Sequence, residues 1–166
     1  HRGEVAIQSA PEAGTTVTIW LPIVEPPEQR RHSSLQQCEG ENGKLLLVED
    51  DPGVLKVMKI CLNRIGYDVV TATNGREGLE AYAEQREEIA LILADLVMPE
   101  MGGRALAEAL ERRSPGVPVL AVTGYASEGD RETLRSLGFE DVLWKPFDVP
   151  ALARAVRRSL NGGSRE

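Results

Sequence analysis

The sequence predicts an α/β protein whose main body is an open, doubly wound parallel sheet. From residue 44 onward, short apolar runs alternate with segments in which apolar residues recur at helical spacing, and this unit repeats five times by residue 160. The runs at 45–48 and 89–94 are apolar throughout, as expected of strands that are buried on both faces. Because parallel neighbours need helical crossovers, five strands and five helices are expected.

Local signals place these elements in order. Asp51 and Pro52 are typical of a helix N-cap and first turn, Gly66 is typical of a helix end, and Asn74 and Asp148 are further N-cap candidates. The predicted strands cover 45–48, 67–72, 89–94, 117–122 and 142–144. The predicted helices cover 52–65, a segment that begins after Asn74, 104–113, 127–137 and 148–160.

The first 43 residues are organised differently. Val5 and Ile7, and then Val17 and Ile19, alternate with other residues around a turn at 11–14, which predicts a β-hairpin within residues 1–24. Two strands alone are marginally stable in water, so the hairpin is expected to pack on another surface. Residues 25–43 predict a polar linker and 161–166 a flexible tail. Since the first residue is not methionine, we expect a piece of a longer protein.

The composition argues against several kinds of function. The chain carries 26 acidic and 19 basic residues, a net charge of −7, and no block of lysine or arginine. We therefore expect no nucleic-acid partner and no contact with an anionic membrane surface. No apolar run is long enough to span a bilayer, and the two cysteines, Cys38 and Cys61, form no CxxC motif, which favours a reducing, cytoplasmic location.

Chemically reactive side chains stand where the predicted strands end. Glu49 and Asp50 follow the first strand of the α/β segment, Asp95 follows the third, Thr123 the fourth and Lys145 the fifth. Because the carboxyl ends of parallel strands meet at one edge of such a sheet, these side chains are expected to converge. Each residue alone also has a structural explanation, as a helix cap, a turn residue or a solvated charge, but their combination indicates a site.

The residue types at this edge indicate phosphoryl transfer. Neighbouring carboxylates cannot all stay ionised without positive charge nearby, which an ammonium group or a hard cation such as Mg²⁺ can supply. An ionised carboxylate can attack phosphorus, and Thr123 and Lys145 could then hold the phosphoryl oxygens. Both histidines, His1 and His32, precede the α/β segment, so a Ser/His/Asp triad or a histidine-based metal site is excluded within it.

Residues 44–160 resemble a response-regulator receiver domain over their whole length. The resemblance rests on LLLVEDDP with the acidic pair, DLVMPEMGG with the phosphoacceptor, VTGYA with the hydroxyl group and LWKPF with the lysine. It implies a flavodoxin-like fold with a five-stranded sheet of order 2-1-3-4-5. It also implies Asp95 as the phosphoacceptor, with Thr123 and Lys145 as its catalytic partners, and a cis peptide bond between Lys145 and Pro146.

The same resemblance implies a cofactor and partners. Mg²⁺ would be bound by Asp50 directly, by Glu49 mostly through water, by Asp95 and by the carbonyl of Val97. The phosphoryl donor would be a phosphohistidine, either on the parent's own kinase domain or on a separate histidine phosphotransfer protein. We expect a monomer or a weak dimer.

One position departs from the family pattern. Three residues before the lysine, the family usually has tyrosine or phenylalanine, a ring that swings inward when phosphorylation pulls on the hydroxyl residue. Val142 stands there in this sequence. Tyr125, two residues after Thr123, is the nearest aromatic substitute in sequence, and a loop ring without a switch role is the alternative interpretation.

Residues 1–24 carry a second, shorter resemblance. HRGEVAIQSAPEAGTTVTIWLP is similar to the last hairpin of a histidine-kinase ATP-binding domain, with Gly14 and Thr15 at the end of its final glycine-rich box and Glu12 where glycine is more usual. Kinase end, linker and receiver in this order imply a hybrid sensor histidine kinase. The rest of the ATP site and the phosphorylatable histidine are missing from this segment. It should therefore catalyse only its own phosphorylation and dephosphorylation.

Four other functions predict different features. A free-standing response regulator predicts that residues 1–24 do not derive from a kinase, and a receiver-like interaction domain predicts no phosphorylation. An aspartyl-phosphate phosphatase would need the motif DxDx[TV], but Val97 stands where its second aspartate belongs. Dinucleotide binding is disfavoured because no GxGxxG follows the first strand of the α/β segment.

Overall fold

The computed structural model describes residues 4–11, 14–20, 43–124 and 130–162. The chain divides into two compact units, His1–Gln36 and Gln37–Glu166. In the described ranges, no helix is long and apolar enough to cross a membrane.

The first unit contains the predicted β-hairpin. Strands β1 (Glu4–Ala10) and β2 (Gly14–Trp20) pair antiparallel. Val5 lies opposite Ile19 and Ile7 opposite Val17, so these four apolar side chains share one face of the hairpin, and each is more than half exposed. Trp20 lies opposite Glu4 on the other face. The expected continuation to residue 24 and the linker up to residue 42 lie outside the described residues, so the domain boundaries stay predictions.

The second unit is the predicted α/β domain. Its elements are β3 (Lys44–Val48), α1 (Pro52–Arg64), β4 (Asp68–Ala72), α2 (Gly75–Glu84), β5 (Ile89–Asp95), α3 (Gly103–Arg113), β6 (Val119–Thr123), α4 (Asp130–Ser136), β7 (Asp141–Trp144) and α5 (Val149–Leu160). The five strands form one parallel sheet of order β4-β3-β5-β6-β7. Counted within this unit, that is the order 2-1-3-4-5, so the flavodoxin-like fold is confirmed.

The helix starts follow from the predicted caps. The Asp51 carboxylate accepts hydrogen bonds from the Gly53 and Val54 amides, and Asn74 and Asp148 cap α2 and α5 in the same way. Strand β6 begins two residues later than expected, after Pro118, which has no N–H for a ladder bond. Within the described residues α4 begins at Asp130, whereas the prediction began at 127.

The sheet is buried on both faces. Along β3, Leu45 and Leu47 belong to one apolar cluster, whereas Leu46 and Val48 belong to the other. This alternation is the reason that the strand reads as a continuous apolar run. Each fully buried leucine contributes about 1.5–3 kcal/mol of transfer free energy. The carboxyl ends of the central strands therefore emerge from a rigid layer, which fixes the residues that follow them.

Candidate functional site

Three carboxylates converge where β3 and β5 end. Glu49 and Asp50 follow β3, and Asp95 is the last residue of β5, its neighbour in the sheet. One oxygen of each lies within 4.8 Å of the others. Glu49 is buried, with 3% of its surface exposed, Asp95 is partly buried and Asp50 is exposed. Burial thus decreases from Glu49 through Asp95 to Asp50, and the acidic site opens to solvent at Asp50.

Lys145 supplies the positive charge for this site. Its ammonium group donates hydrogen bonds to Asp95 Oδ2 and to Glu49 Oε2, both at 2.7 Å. The residue follows β7, and its backbone N–H donates to the carbonyl of Thr123 at 2.8 Å. The bond between Lys145 and Pro146 is cis, as the resemblance implies. The expected approach of the ammonium to the Asp95 carboxylate is therefore present.

Burial and hydrogen bonding shift the pKa values of Glu49 and Lys145 in opposite directions. Burial raises the pKa of the Glu49 carboxyl above its ordinary value, and the hydrogen bond from Lys145 only partly offsets that rise. Burial lowers the pKa of Lys145, but its hydrogen bonds to Asp95 and Glu49 outweigh burial, so the pKa lies above its ordinary value. Lys145 is consequently cationic at neutral pH.

The backbone beside Asp95 also holds its carboxylate. The Val97 N–H donates to Asp95 Oδ1 at 3.0 Å, while the Val97 side chain is 59% exposed. The two carboxylate oxygens of Asp95 therefore have different donors, a backbone amide on Oδ1 and an ammonium group on Oδ2. This arrangement fixes the plane of the carboxylate.

Thr123 ends β6 next to the acidic site and is buried. In the sheet register it lies beside Trp144, and the preceding Val122 lies beside Asp95. The strand ends thus place Thr123, Lys145 and the three carboxylates at one edge of the sheet, as the sequence predicts.

The position of the missing aromatic ring is filled by a small side chain. Val142 is buried in the same apolar cluster as Leu134 and Phe139. Trp144, two residues further along β7, packs partly buried against that cluster. Trp144 is not among the candidate residues named from the sequence, although the two-residue period of a strand places it on the same face as Val142. Tyr125, the substitute considered from the sequence, lies outside the described residues.

The donor set fits a hard divalent cation. All three side chains offer carboxylate oxygens, and the exposed Asp50 leaves room for water and a further oxygen ligand. Mg²⁺ binds through one or two carboxylates while it retains several waters. Together with the Lys145 ammonium group, a cation held by these carboxylates could neutralise an incoming phosphoryl anion.

Comparison with known proteins identifies the family. Residues 45–157 match the family model of the response regulator receiver domain. Among curated proteins, the transcriptional regulatory protein GlrR of Escherichia coli (strain K12) is 40% identical over 116 residues, which are 70% of this chain and 26% of GlrR. The probable transcriptional regulator ycf27 of Porphyridium aerugineum is 32% identical over 117 residues, which are 70% of this chain and 48% of that protein. The chain thus spans a quarter to a half of these relatives.

Solved structures agree with the sequence relatives. Chemotaxis protein CheY4 of Vibrio cholerae superimposes with a TM-score of 0.67 and 29% identity, over 72% of this chain and all of that chain. The receiver domain of sensor histidine kinase PA1611 from Pseudomonas aeruginosa PAO1, solved with a magnesium ion in its active-site cleft, gives a TM-score of 0.65 and 31% identity, over 73% and 99% of the two chains. The chain therefore belongs to the response regulator receiver domain family of two-component systems.

Proposed function

We propose that this domain accepts a phosphoryl group on Asp95 from a phosphohistidine, in a reaction that depends on Mg²⁺. The observation that carries the proposal is the position of the Asp95 carboxylate, which lies beside two further carboxylates and within hydrogen-bond distance of the Lys145 ammonium. A structural ion pair would need only one carboxylate. The extra acidic groups, at an edge that is open to solvent, are what a cation and an incoming phosphate require.

The chemical step forms one bond and breaks one. An Asp95 carboxylate oxygen attacks phosphorus, and the bond from phosphorus to the donor's imidazole nitrogen breaks. The electron pair of that bond stays on the nitrogen, and a proton taken up by the ring keeps the departing histidine neutral. The Val97 amide holds the attacking carboxylate in place from Oδ1. The cationic Lys145 and the Thr123 hydroxyl would then bind phosphoryl oxygens.

Glu49, Asp50, Asp95 and the carbonyl of Val97 would hold Mg²⁺ in this site. When bound, the ion neutralises the repulsion between the carboxylates and the phosphoryl group. Lys145 supplies one positive charge to the acidic site, but it is shared by two of the three carboxylates. That shortfall supports the proposal that a second cation binds before an anionic donor approaches.

An apolar surface next to Lys145 supports a protein as the donor. On α1, the side chains of Val57 and Ile60 are 60% and 42% exposed. A groove of about 330 Å³ is lined by Val54, Val57, Met58, Lys145 and Phe147, among others. Exposed apolar residues grouped beside a reactive site are typical of a surface that another protein covers. A small phosphodonor would make no use of this surface.

We further propose that the domain belongs to a hybrid sensor histidine kinase, with residues 1–24 as the end of its ATP-binding domain. The hairpin between β1 and β2 supports this context, because its exposed apolar face indicates a missing packing partner. Receiver domains of two histidine kinases, including one from Syntrophus aciditrophicus, are among the similar structures. The curated relatives are transcriptional regulators, which favours the free-standing response regulator as the alternative.

The predicted absence of a nucleic-acid partner rests on the net charge and on the lack of a lysine or arginine block, and it finds no support among these relatives. Cytoplasmic location likewise remains a proposal. The choice between the two contexts, and with it the presence of a DNA-binding domain, can be decided by sequencing the coding region on both sides of this segment. A hybrid kinase requires a complete ATP-binding domain and a phosphorylatable histidine upstream. A DNA-binding domain downstream, with no kinase upstream, would overturn that context.

Incubation with acetyl phosphate and Mg²⁺, followed by intact-mass measurement, tests the site. We expect one phosphoryl adduct on the native protein, none without a divalent cation and none on Asp95→Asn. Asp68→Asn, which changes an exposed aspartate at the opposite edge of the sheet, is the matched control and should keep the adduct. An adduct of equal yield on Asp95→Asn would overturn the assignment of the phosphoacceptor.

A second pair of variants tests the protein donor. Val57→Asp should slow transfer from a phosphorylated histidine phosphotransfer protein but should leave labelling by acetyl phosphate unchanged. Asn63→Asp adds the same charge to an exposed position of α1 outside the groove and should change neither rate. Equal slowing by both variants would show that net charge, rather than the apolar surface, matters for donor binding.

A further inference from the structure

The loop that joins β4 to α2 contains none of the predicted site residues, yet it contacts two of the segments that carry them, the one after β3 and the one after β5. At one end, the carbonyl of Ala72 accepts a hydrogen bond of 3.1 Å from the backbone N–H of Glu49. At the other end, the backbone N–H of Gly75 donates to the carbonyl of Met101 at 2.9 Å. Residues 72–75, called here the β4–α2 loop, therefore lie between Glu49 and the segment after β5.

Met101 belongs to the tightly folded segment 96–102, which begins directly after Asp95. Its N–H donates to the carbonyl of Pro99 at 2.7 Å, and the intervening Glu100 has a φ of 61°. A Cβ atom at Gly102 would lie 2.8 Å from the carbonyl oxygen of Leu96, and one at Gly103 would clash with that of Asp95. The two ends of the segment are thus packed against each other. Because of this close packing, a shift of Met101 would move the backbone of Asp95 and Leu96.

Only glycine fits at position 75. A Cβ atom there would lie 2.6 Å from the Met101 carbonyl oxygen and 2.7 Å from Met101 Cγ. The backbone oxygen cannot move away without opening segment 96–102. A methyl group at residue 75 must therefore push Met101 outward or break the hydrogen bond that joins them.

The β4–α2 loop is itself fixed to the helix that follows it. Asn74 Oδ1 accepts from the Glu77 amide at 3.0 Å. In return, Glu77 Oε2 accepts from the Thr73 amide at 2.8 Å and from the Thr73 hydroxyl at 2.7 Å. These reciprocal bonds have the logic of a capping box, and they hold the loop rigidly between its two contacts.

We propose that the β4–α2 loop positions the metal-binding segments, and that Gly75 is the positioning residue through its contact with Met101. The inference rests on the proposed metal site for its effect on Mg²⁺, but the contact itself is independent of the metal. Its consequence is that Val97, whose amide holds Asp95 and whose carbonyl is a proposed ligand, is kept in place by a helix that contributes no ligand.

Gly75→Ala tests this inference, with Gly78→Ala as the matched control. Both changes replace glycine by alanine in α2, but a Cβ atom at Gly78 would meet a side-chain methyl of Val48 at 3.1 Å rather than a backbone oxygen at 2.6 Å. The first readout is the solvent-exchange rate of the Val97 and Met101 amide protons, measured by NMR on the metal-free protein. The second is the dissociation constant for Mg²⁺ alone, measured by titration calorimetry.

We expect Gly75→Ala to speed exchange at both amides and to weaken Mg²⁺ binding roughly tenfold, the size of effect seen when a group that orients a ligand is lost. Gly78→Ala should leave both readouts at native values. Native exchange rates and native affinity in Gly75→Ala would overturn the inference. If native protein fails to bind Mg²⁺, the proposed function is wrong, and the exchange rates still decide the positioning role.

Two less disruptive variants, Glu77→Ala and its control Glu80→Ala, test the inference if Gly75→Ala does not fold. Glu77→Ala removes the acceptor of both Thr73 bonds from an exposed position and should raise the exchange rates in the same direction by a smaller factor. Glu80→Ala, an exposed change in the same helix, should not. Equal rates in these two variants would contradict the inference.

Discussion

The ammonium group of Lys145 donates to Glu49 Oε2 at 2.7 Å, although the two residues are 96 positions apart in the chain. The same ammonium reaches Asp95, so one cation serves two carboxylates that are both largely withdrawn from water. A buried carboxylate without a partner costs several kcal/mol or must take up a proton. Lys145 therefore supports the metal-free fold as well as the proposed chemistry.

Lys145→Met should lower the free energy of unfolding, because it removes the ammonium that Glu49 and Asp95 share. We expect a loss of about 2 kcal/mol at neutral pH without Mg²⁺, less than for a fully buried pair because Lys145 is partly exposed. Lys44→Met is the control, since its partner Glu88 is 62% exposed, and it should cost clearly less than Lys145→Met. Urea unfolding of the three proteins measures both, and equal losses would contradict the role of Lys145.

Asp50→Asn should have opposite effects with and without Mg²⁺. Without the ion, the change removes one negative charge from the acidic site, so stability should rise by up to about 1 kcal/mol, small because Asp50 is exposed. A ligand at one hundred times its Kd stabilises native protein by about 2.7 kcal/mol, and Asp50→Asn should lose most of that gain.

Thermal or urea unfolding across a Mg²⁺ titration measures the crossing of the two stability curves. Asp68→Asn, at the amino end of β4, should follow the native curve throughout. Parallel curves for native protein and Asp50→Asn would mean that Asp50 does not bind the ion.

The parts of the fold that the sequence predicted depend on local signals. Asp51, Asn74 and Asp148 cap their helices as expected, because a cap involves only its own residue and the next three. The convergence of Asp95 and Lys145 was also predictable, because parallel strands have one carboxyl edge. Both inferences need the element order but no distances.

Contacts between distant backbone atoms were not predictable. Gly75 and Met101 are 26 positions apart, and nothing in either local sequence indicates that an amide of one meets the carbonyl of the other. The hydrogen bond from Lys145 to Glu49 depends on the side-chain rotamer, which a motif does not specify. Val142 departs visibly from the family pattern, but its burial in one cluster with Leu134 and Phe139 depends on helix packing.

Val97→Asn should shorten the half-life of the aspartyl phosphate. Hydrolysis needs a water in line with the phosphorus, and the Val97 side chain is exposed beside Asp95 without an amide or carboxylate to orient one. Native protein should therefore lose phosphate slowly. Val97→Ile, which keeps the apolar character, should match native protein, and loss of radiolabel measures all three. Unchanged decay in Val97→Asn would show that this side chain does not control water access.

Glu77→Gln should destabilise the domain in a manner that depends on pH. Hydrogen bonds from the Thr73 amide and then from its hydroxyl hold the pKa of the Glu77 carboxyl below its ordinary value of 4.5. A lowered folded-state pKa contributes stability that is fully present above the ordinary value and is lost as the pH falls through the folded value. The gap between native protein and Glu77→Gln should thus be widest near neutral pH and close in acid. Urea midpoints over this pH range measure it, and Glu80→Gln should show no such gap.

Deletion of residues 1–43 should leave the α/β domain folded and able to form the Asp95 adduct. Both apolar clusters of this domain consist of residues from Leu45 onward, so the deletion removes no side chain from them. The free energy of unfolding in urea should stay within about 0.5 kcal/mol of the native value, with an unchanged dependence on urea concentration.

Deletion of residues 1–36, which ends at the boundary between the two compact units, is the control and should behave identically. If the shorter deletion folds and the longer one does not, residues 37–43 belong to the receiver domain. Loss of folded protein in both would mean that the hairpin is part of the domain's own structure rather than the end of a preceding one.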